Sequence, residues 1–315
     1  GSFDYYYKKT NDILVQTPYI AAMGEGGEPW VNGASMNNQG VEFTVSFKSD
    51  PSSEFQWAVS ANIGTYKTEL TDLPSNVINK YAGDGVHDLI LGRSPNSAYG
   101  LVADGIFKTQ EEVDAHADQP GKAVGRIRYK DLDGDGVINE TYDRTWIGCY
   151  DPDFFGGLNF DFAYKGFDLN LFFEGMFGND VNSDWKKESD IWLFTNPAWK
   201  NHATRMLGGW SPDNPNSDIP AISNNTANQE QRFSSWFIED GSYIKLRNIE
   251  LGYTFPTKLI KKMHMSNLRL YAAAYNVFTL KKFWGDDKYT SFDPERPSYH
   301  YLTPFTFNFG INVSF

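Results

Sequence analysis

The densest group of side chains in this sequence that could do chemistry is an acidic loop near its middle. Asp131, Asp133 and Asp135 stand at alternate positions and Gly136 follows them, as in the opening of an EF-hand-type calcium loop. Three carboxylates in one tight turn repel one another unless a hard cation lies between them. This spacing predicts a structural Ca²⁺ site. Its predicted ligands are Asp131, Asp133, Asp135, Val137, Asn139 and Asp143.

The acidic loop departs from an EF-hand at its far end. The twelfth position, where an EF-hand has a bidentate Glu, is Tyr142, and Asp143 comes one residue later. Val137 would contribute its backbone carbonyl to the ion, and Asn139 a side-chain oxygen. The alternative is a solvated acidic turn that holds no metal.

Aromatic side chains form a second group of candidates, because flat rings stack on sugars or pack on a protein partner. They lie in or near segments rich in Asn, Asp, Pro and Ser, which we expect to be loops. The alternative is that these rings pack the loops on one another or anchor the protein at the membrane interface. The predicted substrate or partner residues are Trp185, Trp192, Trp199, Trp210, Trp236, Tyr299 and Tyr301.

The remaining reactive residues do not form a catalytic arrangement. The single cysteine, Cys149, excludes an internal disulfide and a cysteine-based zinc site. The sequence contains neither an HExxH nor a GxSxG motif. We therefore expect neither an enzyme nor an organic cofactor. The histidines are scattered over separate segments, at His87, His116, His202, His264 and His300.

The segments that must position these loops alternate in the manner of β-strands. The last of them places Phe305, Phe307 and Phe309 on one face, and Thr306 and Asn308 on the other. Successive side chains of a strand point to opposite faces, so this strand has one apolar and one small polar face. The eight segments of this kind indicate an all-β protein. They are residues 3–16, 33–48, 55–63, 155–164, 167–177, 243–255, 268–280 and 303–315.

The connections between these strands alternate in length. Long loops are predicted at residues 17–32, 68–142, 179–233 and 281–302, and short connections at 49–54, 165–166 and 256–266. This alternation puts every short turn at one end of the sheet and every long loop at the other. Outer-membrane barrels have this asymmetry, with short periplasmic turns and longer extracellular loops. We therefore predict an antiparallel transmembrane β-barrel segment of about eight strands.

A soluble, calcium-containing β-sandwich that binds carbohydrate is the alternative fold and function. The two differ in what covers the apolar strand face around Phe160, Leu169, Leu251 and Phe307. In a sandwich this face is buried under a second sheet, whereas in a barrel it forms an exposed apolar band.

Composition narrows the partners and the export route. The formal charge is −12, from 40 acidic and 28 basic residues, which disfavours nucleic acid because Lys and Arg make phosphate contacts. Mean hydropathy is −0.50, and we find no run of about 18 apolar residues, so no transmembrane helix is predicted. The first residues do not read as a signal peptide, so an exported protein would carry this sequence as a mature or partial chain.

Short motifs are spread along nearly the whole chain. They are DYYYKKT (4–10), NNQGVE (37–42), YG (99–100), DGIF (104–107), YKDLDGDGVI (129–138), DR (143–144), IG (147–148), YKGFD (164–168), IKLRNI (244–249), YN (275–276) and DPE (293–295). With the closing aromatic strand, and in this order, they resemble the C-terminal part of the SusC/RagA-type TonB-dependent outer-membrane transporters.

The resemblance implies a barrel of about twenty-two strands, of which this chain would supply roughly the last third. It implies import of an oligosaccharide, glycan or peptide across the outer membrane of a Gram-negative bacterium. The implied partners are a SusD-like surface lipoprotein that acts as a lid, TonB, a plug and further barrel strands outside this sequence, and outer-membrane lipid. It leaves open a dimer of transporter–lipoprotein pairs.

Overall fold

Strands dominate the fold. The computed structural model describes residues 1–16, 30–75, 77–78, 89–191, 202–223, 225–281, 290, 292–297 and 301–315. The strands are β1 (Ser2–Gln16), β2 (Trp30–Lys48), β3 (Phe55–Asp72), β4 (Ser97–Leu101), β5 (Ala103–Ile106), β6 (Ile127–Tyr129), β7 (Arg144–Cys149), β8 (Phe154–Tyr164), β9 (Phe167–Phe177), β10 (Asp180–Asn182), β11 (Ile238–Asp240), β12 (Tyr243–Thr254), β13 (Asn267–Lys281) and β14 (Thr306–Ser314).

The helices are short. Those described are α1 (Gln110–Ala115), α2 (Asp184–Lys186) and α3 (Thr257–Ile260), with a π-helical turn at Lys187–Ile191 and 3₁₀ turns at Thr204–Gly208, Thr226–Asn228, Ser235–Phe237 and Lys261–Met263. Among the described residues, no helix has both the length and the apolar character needed to cross a membrane. The short connection at residues 256–266 contains α3 and the 3₁₀ turn Lys261–Met263.

Eight long strands form one antiparallel sheet, which we call the wall sheet. Their order is β1-β2-β3-β8-β9-β12-β13-β14, so each long strand pairs with the next one along the chain. These are the eight predicted strands, and the prediction of an all-β antiparallel fold is confirmed. The connections between them are residues 17–29, 49–54, 73–153, 165–166, 178–242, 255–266 and 282–305. One difference is that β3 extends to Asp72, past the expected start of the second long loop.

The turn between β8 and β9 has the geometry that its sequence predicts. Lys165 and Gly166 both have positive φ, 48° and 88°. Two such residues make the tight turn whose twist matches that of the flanking strands. A Cβ at position 166 would lie 2.7 Å from the carbonyl oxygen of Thr254, so glycine is required there on two grounds.

The apolar face of the wall sheet is continuous and uncovered. Its cross-strand register puts apolar residues opposite one another, as where Phe160 pairs with Leu171 and Leu171 with Ile249. Leu251 is 51% exposed and Phe307 62% exposed. In the part of the chain that is described, no second sheet packs on this outer face. The sandwich alternative is therefore wrong, because its apolar face would be buried.

A β-bulge interrupts β12 at Arg247. The pairing of β12 with both neighbours shifts between Leu246 and Asn248. Arg247 contacts Glu174, and Asn248 contacts Asn170, both on the polar face. The bulge therefore lets two consecutive side chains point to the same, inner face.

We had expected irregular loops at residues 68–142 and 179–233. Instead, these two long connections contain secondary structure and pack against each other. The β3–β8 connection contains four strands and α1, and the β9–β12 connection contains two strands and several short helical turns. We call these two connections together the loop layer. It has a hydrophobic core to which both contribute. The core residues are Leu101, Ile106, Ile127, Tyr129, Ile138, Ile191 and Phe237.

A buried ion pair also joins the two connections of the loop layer. Arg126 donates to Glu230 at 2.7 Å, and both side chains are almost fully buried. The N–H of Ile127 donates to the other oxygen of Glu230 at 2.8 Å. Burial raises the pKa of Glu230, against the opposing effect of Arg126. Because removing one partner would leave an unpaired buried charge, the pair fixes how the connections meet.

Candidate functional site

The inner face of the wall sheet carries a ladder of polar and charged side chains. On this face, Asn170 donates to Asp161 at 2.7 Å and to Asn159 at 3.0 Å, and Asn248 donates to Asn170 at 2.9 Å. These residues come from three neighbouring strands, which alternate so that their apolar side chains point the other way. The arrangement makes a hydrated surface on the face opposite the apolar band.

Two arginines hold carboxylates from neighbouring strands on this inner face. Arg269 contacts Asp168 and also donates to Glu250 at 2.7 Å. Farther from the β8–β9 turn, Arg247 donates from Nε to Glu174 at 2.7 Å. Such charge-assisted contacts are stronger than neutral hydrogen bonds and fix the side chains in place.

The last long connection is fastened to the inner face by a further ionic cluster. Lys245 is 2% exposed, and it contacts Asp293 at 2.9 Å and also Glu295. Glu295 in turn contacts Arg247 and accepts a hydrogen bond from the Tyr243 hydroxyl at 3.0 Å. A lysine this deeply buried requires its carboxylate partners. The cluster therefore holds the segment 292–297 against the sheet.

The sequence contains both halves of this cluster, but their contact was not predicted. The motif 244–249 supplies the two cations, and the motif 293–295 supplies the two anions. Their opposite charges were the available signal. Their separation in the chain gives no periodic pattern that would have linked them.

The acidic loop brings together part of its predicted ligand set. Carboxylate oxygens of Asp131, Asp133 and Asp143 lie within 4.8 Å of one another, and Asp143 is 0% exposed. Asp135 is not in this group. The Asp143 carboxylate accepts the N–H groups of Leu132 at 2.8 Å and Asn139 at 2.7 Å, which closes the loop.

Backbone N–H groups occupy several of the remaining oxygens of the acidic loop. Asp131 accepts from Gly134 at 2.7 Å and from Gly136 at 2.9 Å. The side-chain oxygen of Asn139 accepts from Thr141 and Tyr142, and the Val137 carbonyl receives the Asn139 amide at 3.4 Å. This is the self-capping geometry of an acidic turn, so a cation would have to share these oxygens.

The pKa values of two carboxylates in the acidic loop are shifted in opposite directions. Desolvation raises the pKa of Asp131, but hydrogen bonds from Gly136 and Gly134 outweigh it and hold the pKa below its ordinary value. For Asp133, the N–H of Asp135 lowers the pKa, but desolvation and repulsion from Asp135 and Asp143 outweigh it and raise the pKa. Like charges therefore crowd Asp133. The Ca²⁺ site stays a prediction.

The predicted aromatic residues lie in different surroundings. Trp210 and Trp236 pack on the core of the loop layer. Trp185 stacks edge-to-face on Phe292, with ring centroids 4.7 Å apart. Tyr301 is almost fully exposed. Trp192, Trp199 and Tyr299 lie outside the described residues. A substrate or partner role for these seven aromatic residues stays a prediction.

The sequence and the fold are similar to those of known proteins. The whole chain is 30% identical to about a third (32%) of "TonB-dependent receptor P3" of Formosa agariphila. It is 25% identical to 30% of "TonB-dependent receptor SusC" of Bacteroides thetaiotaomicron. A solved structure of the RagAB peptide transporter matches 99% of this chain with a TM-score of 0.75, at 23% identity and over 33% of that chain. No family model matches the chain.

Along its whole length the chain is similar to part of these TonB-dependent receptors. The predicted resemblance is confirmed, because the relatives match along the whole sequence and the solved structure matches the fold. The chain spans about a third of the length of these receptors. Its wall sheet accordingly has the fold of about a third of that solved chain, with the apolar band on one face and the polar ladder on the other.

The receptor relatives also bear on the prediction that the chain is not an enzyme. The similar proteins are named as receptors and transporters, and none of those described above is named as an enzyme.

Proposed function

We propose that the protein imports a large nutrient across the outer membrane of a Gram-negative bacterium, with energy supplied through TonB. The observation that carries this proposal is the two-sided wall sheet, which is apolar outside and bears an ion-paired polar ladder inside. Lipid would contact the first face and the hydrated path the second. The similarity to TonB-dependent receptors along the whole chain supports the proposal.

The partners belong to the same proposal. A SusD-like lipoprotein would cover the end of the barrel that carries the loop layer. TonB would act through a plug outside this sequence, and further strands would complete the barrel. A dimer of transporter–lipoprotein pairs stays a prediction.

The proposed cargo is an oligosaccharide, a glycan or a peptide. The solved structures that the chain resembles are of a peptide transporter, described in closed and open states of a peptide importer. The polar inner face, with its paired amides and ions, suits either class, since both present many hydrogen-bonding groups. Of these classes of cargo, the structural relatives favour a peptide.

Uptake by living cells tests this function. Cells that carry or lack the gene are supplied with fluorescent oligopeptides and oligosaccharides too large for porins, with and without active TonB. We expect gene-dependent uptake of one class that stops when TonB is inactivated. Uptake that continues unchanged without TonB would contradict the proposal.

A further inference from the structure

A pocket opens on the inner face where the wall sheet meets the loop layer. Its volume is about 560 Å³. Five parts of the chain line it: Tyr150 after β7, Met176 near the end of β9, the segment around β10, the start of β12, and the segment 294–297 that the Lys245 cluster holds in place. The side chains that matter are those of Tyr150, Asn179, Asp180, Asp184, Tyr243 and Glu295.

Two of the three carboxylates that line this pocket have no basic partner among the described residues. Lys245 and Arg247 neutralise Glu295. Asp180 and Asp184 make no salt bridge to any lysine, arginine or histidine in the described ranges. Asp180 accepts the Cys149 N–H at 2.8 Å, and Asp184 accepts the Asn182 amide at 3.4 Å.

Further acidic groups add to the negative charge around Asp180. Desolvation, with repulsion from Asp240 and Asp153, raises the pKa of Asp180. A partly buried group under such repulsion gains most from a cation that lies beside it. The pocket therefore favours a positively charged ligand.

A second, independent feature points to a ligand that donates hydrogen bonds. Asn179 lines the pocket and is 6% exposed, and its side-chain oxygen has no hydrogen-bond partner among the described residues. A buried acceptor without a donor costs free energy, so such groups are uncommon in folded proteins. An N–H group of a bound ligand would satisfy it.

The geometry favours an organic cation over a metal ion. Within the described part of the chain, the carboxylates that converge closely enough for a metal are Asp131, Asp133 and Asp143, and neither Asp180 nor Asp184 forms such a group. The ring of Tyr150 also borders the pocket, and aromatic faces attract ammonium groups. The volume is in the range that holds a drug-sized ligand, so it has room for a short run of peptide residues or sugar rings.

We propose that this pocket binds a protonated amine of the transported substrate, between the carboxylates of Asp180 and Asp184. The Asn179 oxygen accepts one of its N–H groups, and the Tyr150 ring contacts the cation. The inference rests on the proposed import function, since it names a chemical group of the cargo. A basic peptide or an amino sugar would supply the same ammonium group.

Binding by the intact natural protein that carries this sequence, purified in detergent, tests the proposal. Calorimetric titrations use trilysine, a trimer of glucosamine and, as the ligand without an amine, triglutamate acetylated at its N-terminus. The variant is Asp180→Asn with Asp184→Asn, and the control is Asp213→Asn, which removes an exposed charge elsewhere in the loop layer. We expect an ammonium ligand to bind the natural protein and the control alike, and about tenfold or more weakly to the double variant.

Each outcome decides the proposal. Binding of trilysine alone supports a peptide source of the amine, and binding of the glucosamine trimer alone supports a sugar source. The proposal is overturned if neither binds, if triglutamate binds as tightly, or if the double variant retains full affinity. Because Asn keeps a side-chain oxygen at both sites, we expect the variant to fold. The affinity of the single Asp184→Asn variant is a second measurement of the same effect.

The titration is independent of the import test. It measures binding in detergent, where TonB plays no part. TonB-dependent uptake with unchanged binding by the double variant would overturn only the pocket. Charge-selective binding without TonB-dependent uptake would overturn only the import function.

Discussion

The wall sheet and the loop layer use apolar side chains in opposite ways. In the wall sheet, residues such as Leu251 and Phe307 form an exposed surface. In the loop layer, Ile127, Tyr129 and Phe237 are buried, as in the core of a water-soluble domain. The first arrangement is stable where lipid replaces water, and the second where water drives burial. Under the proposed function the two regions face different solvents, so each should be sensitive to a different kind of substitution.

Truncation of a core residue in the loop layer should have the largest effect. Phe237→Ala is expected to cost about 3–5 kcal/mol of local stability, because it empties space in a packed core. Phe309→Ala in β14 removes an equally large ring from an exposed position and should cost far less. Limited proteolysis of the loop layer in detergent measures the difference. Equal protease resistance of the two variants would show that the loop core is not a packed unit.

A charge placed on the outer face should have the next largest effect. Leu171→Arg puts a cation on the apolar face near the middle of β9, toward lipid, and is expected to cost roughly 2–4 kcal/mol. Asn170→Arg, one residue along β9, puts the same group on the polar inner face, where the cost should be small. Urea unfolding in lipid vesicles compares the two. A greater loss for Asn170→Arg would reverse the assignment of the faces.

Acid should release the segment that is fastened to the inner face. Partial burial raises the pKa of Glu295, but hydrogen bonds from Lys245 and Arg247 outweigh it, and the pKa lies below the ordinary 4.5. The stabilisation is therefore present above pH 4.5 and is lost as the pH falls through the lowered value. Hydrogen exchange of residues 292–297 should accelerate in that window.

Glu295→Gln is the matched control for this pH effect. It keeps the shape of the side chain but removes the charge, at an expected cost of roughly 1.5 kcal/mol. Exchange of this segment should then be faster at neutral pH and should change less on acidification. An acid response as large as that of the natural protein would assign the effect to another group.

The acidic loop should give the smallest effect on the fold. If Ca²⁺ binds there, Asp133→Asn should weaken binding by about tenfold, because its carboxylate lies within the close group and is crowded by like charge. Asp135→Asn should weaken it much less, since Asp135 stands outside that group. Calorimetric titration of Ca²⁺ into chelator-treated protein measures both. Absence of a binding signal in the natural protein would leave the loop as a solvated turn.

Sequence reasoning succeeded where the physical cause was local. The two-residue period of β8 and β9 follows from the alternation of side chains between an apolar and a polar face, and positive φ at Gly166 follows from the turn that joins them. The family motifs carried the identification, because they extend along nearly the whole chain.

The same reasoning could not predict the contacts between distant segments. Ile106 and Phe237 meet in the loop core, but neither lies in a segment with a clear period. The ionic cluster of Lys245 and Glu295 likewise joins two separate motifs. The bulge at Arg247 was missed because a single inserted residue leaves the alternation on both sides nearly intact. Within the acidic loop, the sequence indicated carboxylate spacing but not which oxygens the backbone would occupy.

The shared core of the loop layer also has a consequence for the order of folding. Its two halves lie on either side of the β8–β9 hairpin in the sequence, so they can meet only after a long chain segment has been closed. Contacts of this range form slowly, whereas the hairpin itself closes locally. We therefore expect the loop core to be unformed in the rate-limiting transition state, so that weakening it would speed unfolding more than it slows folding.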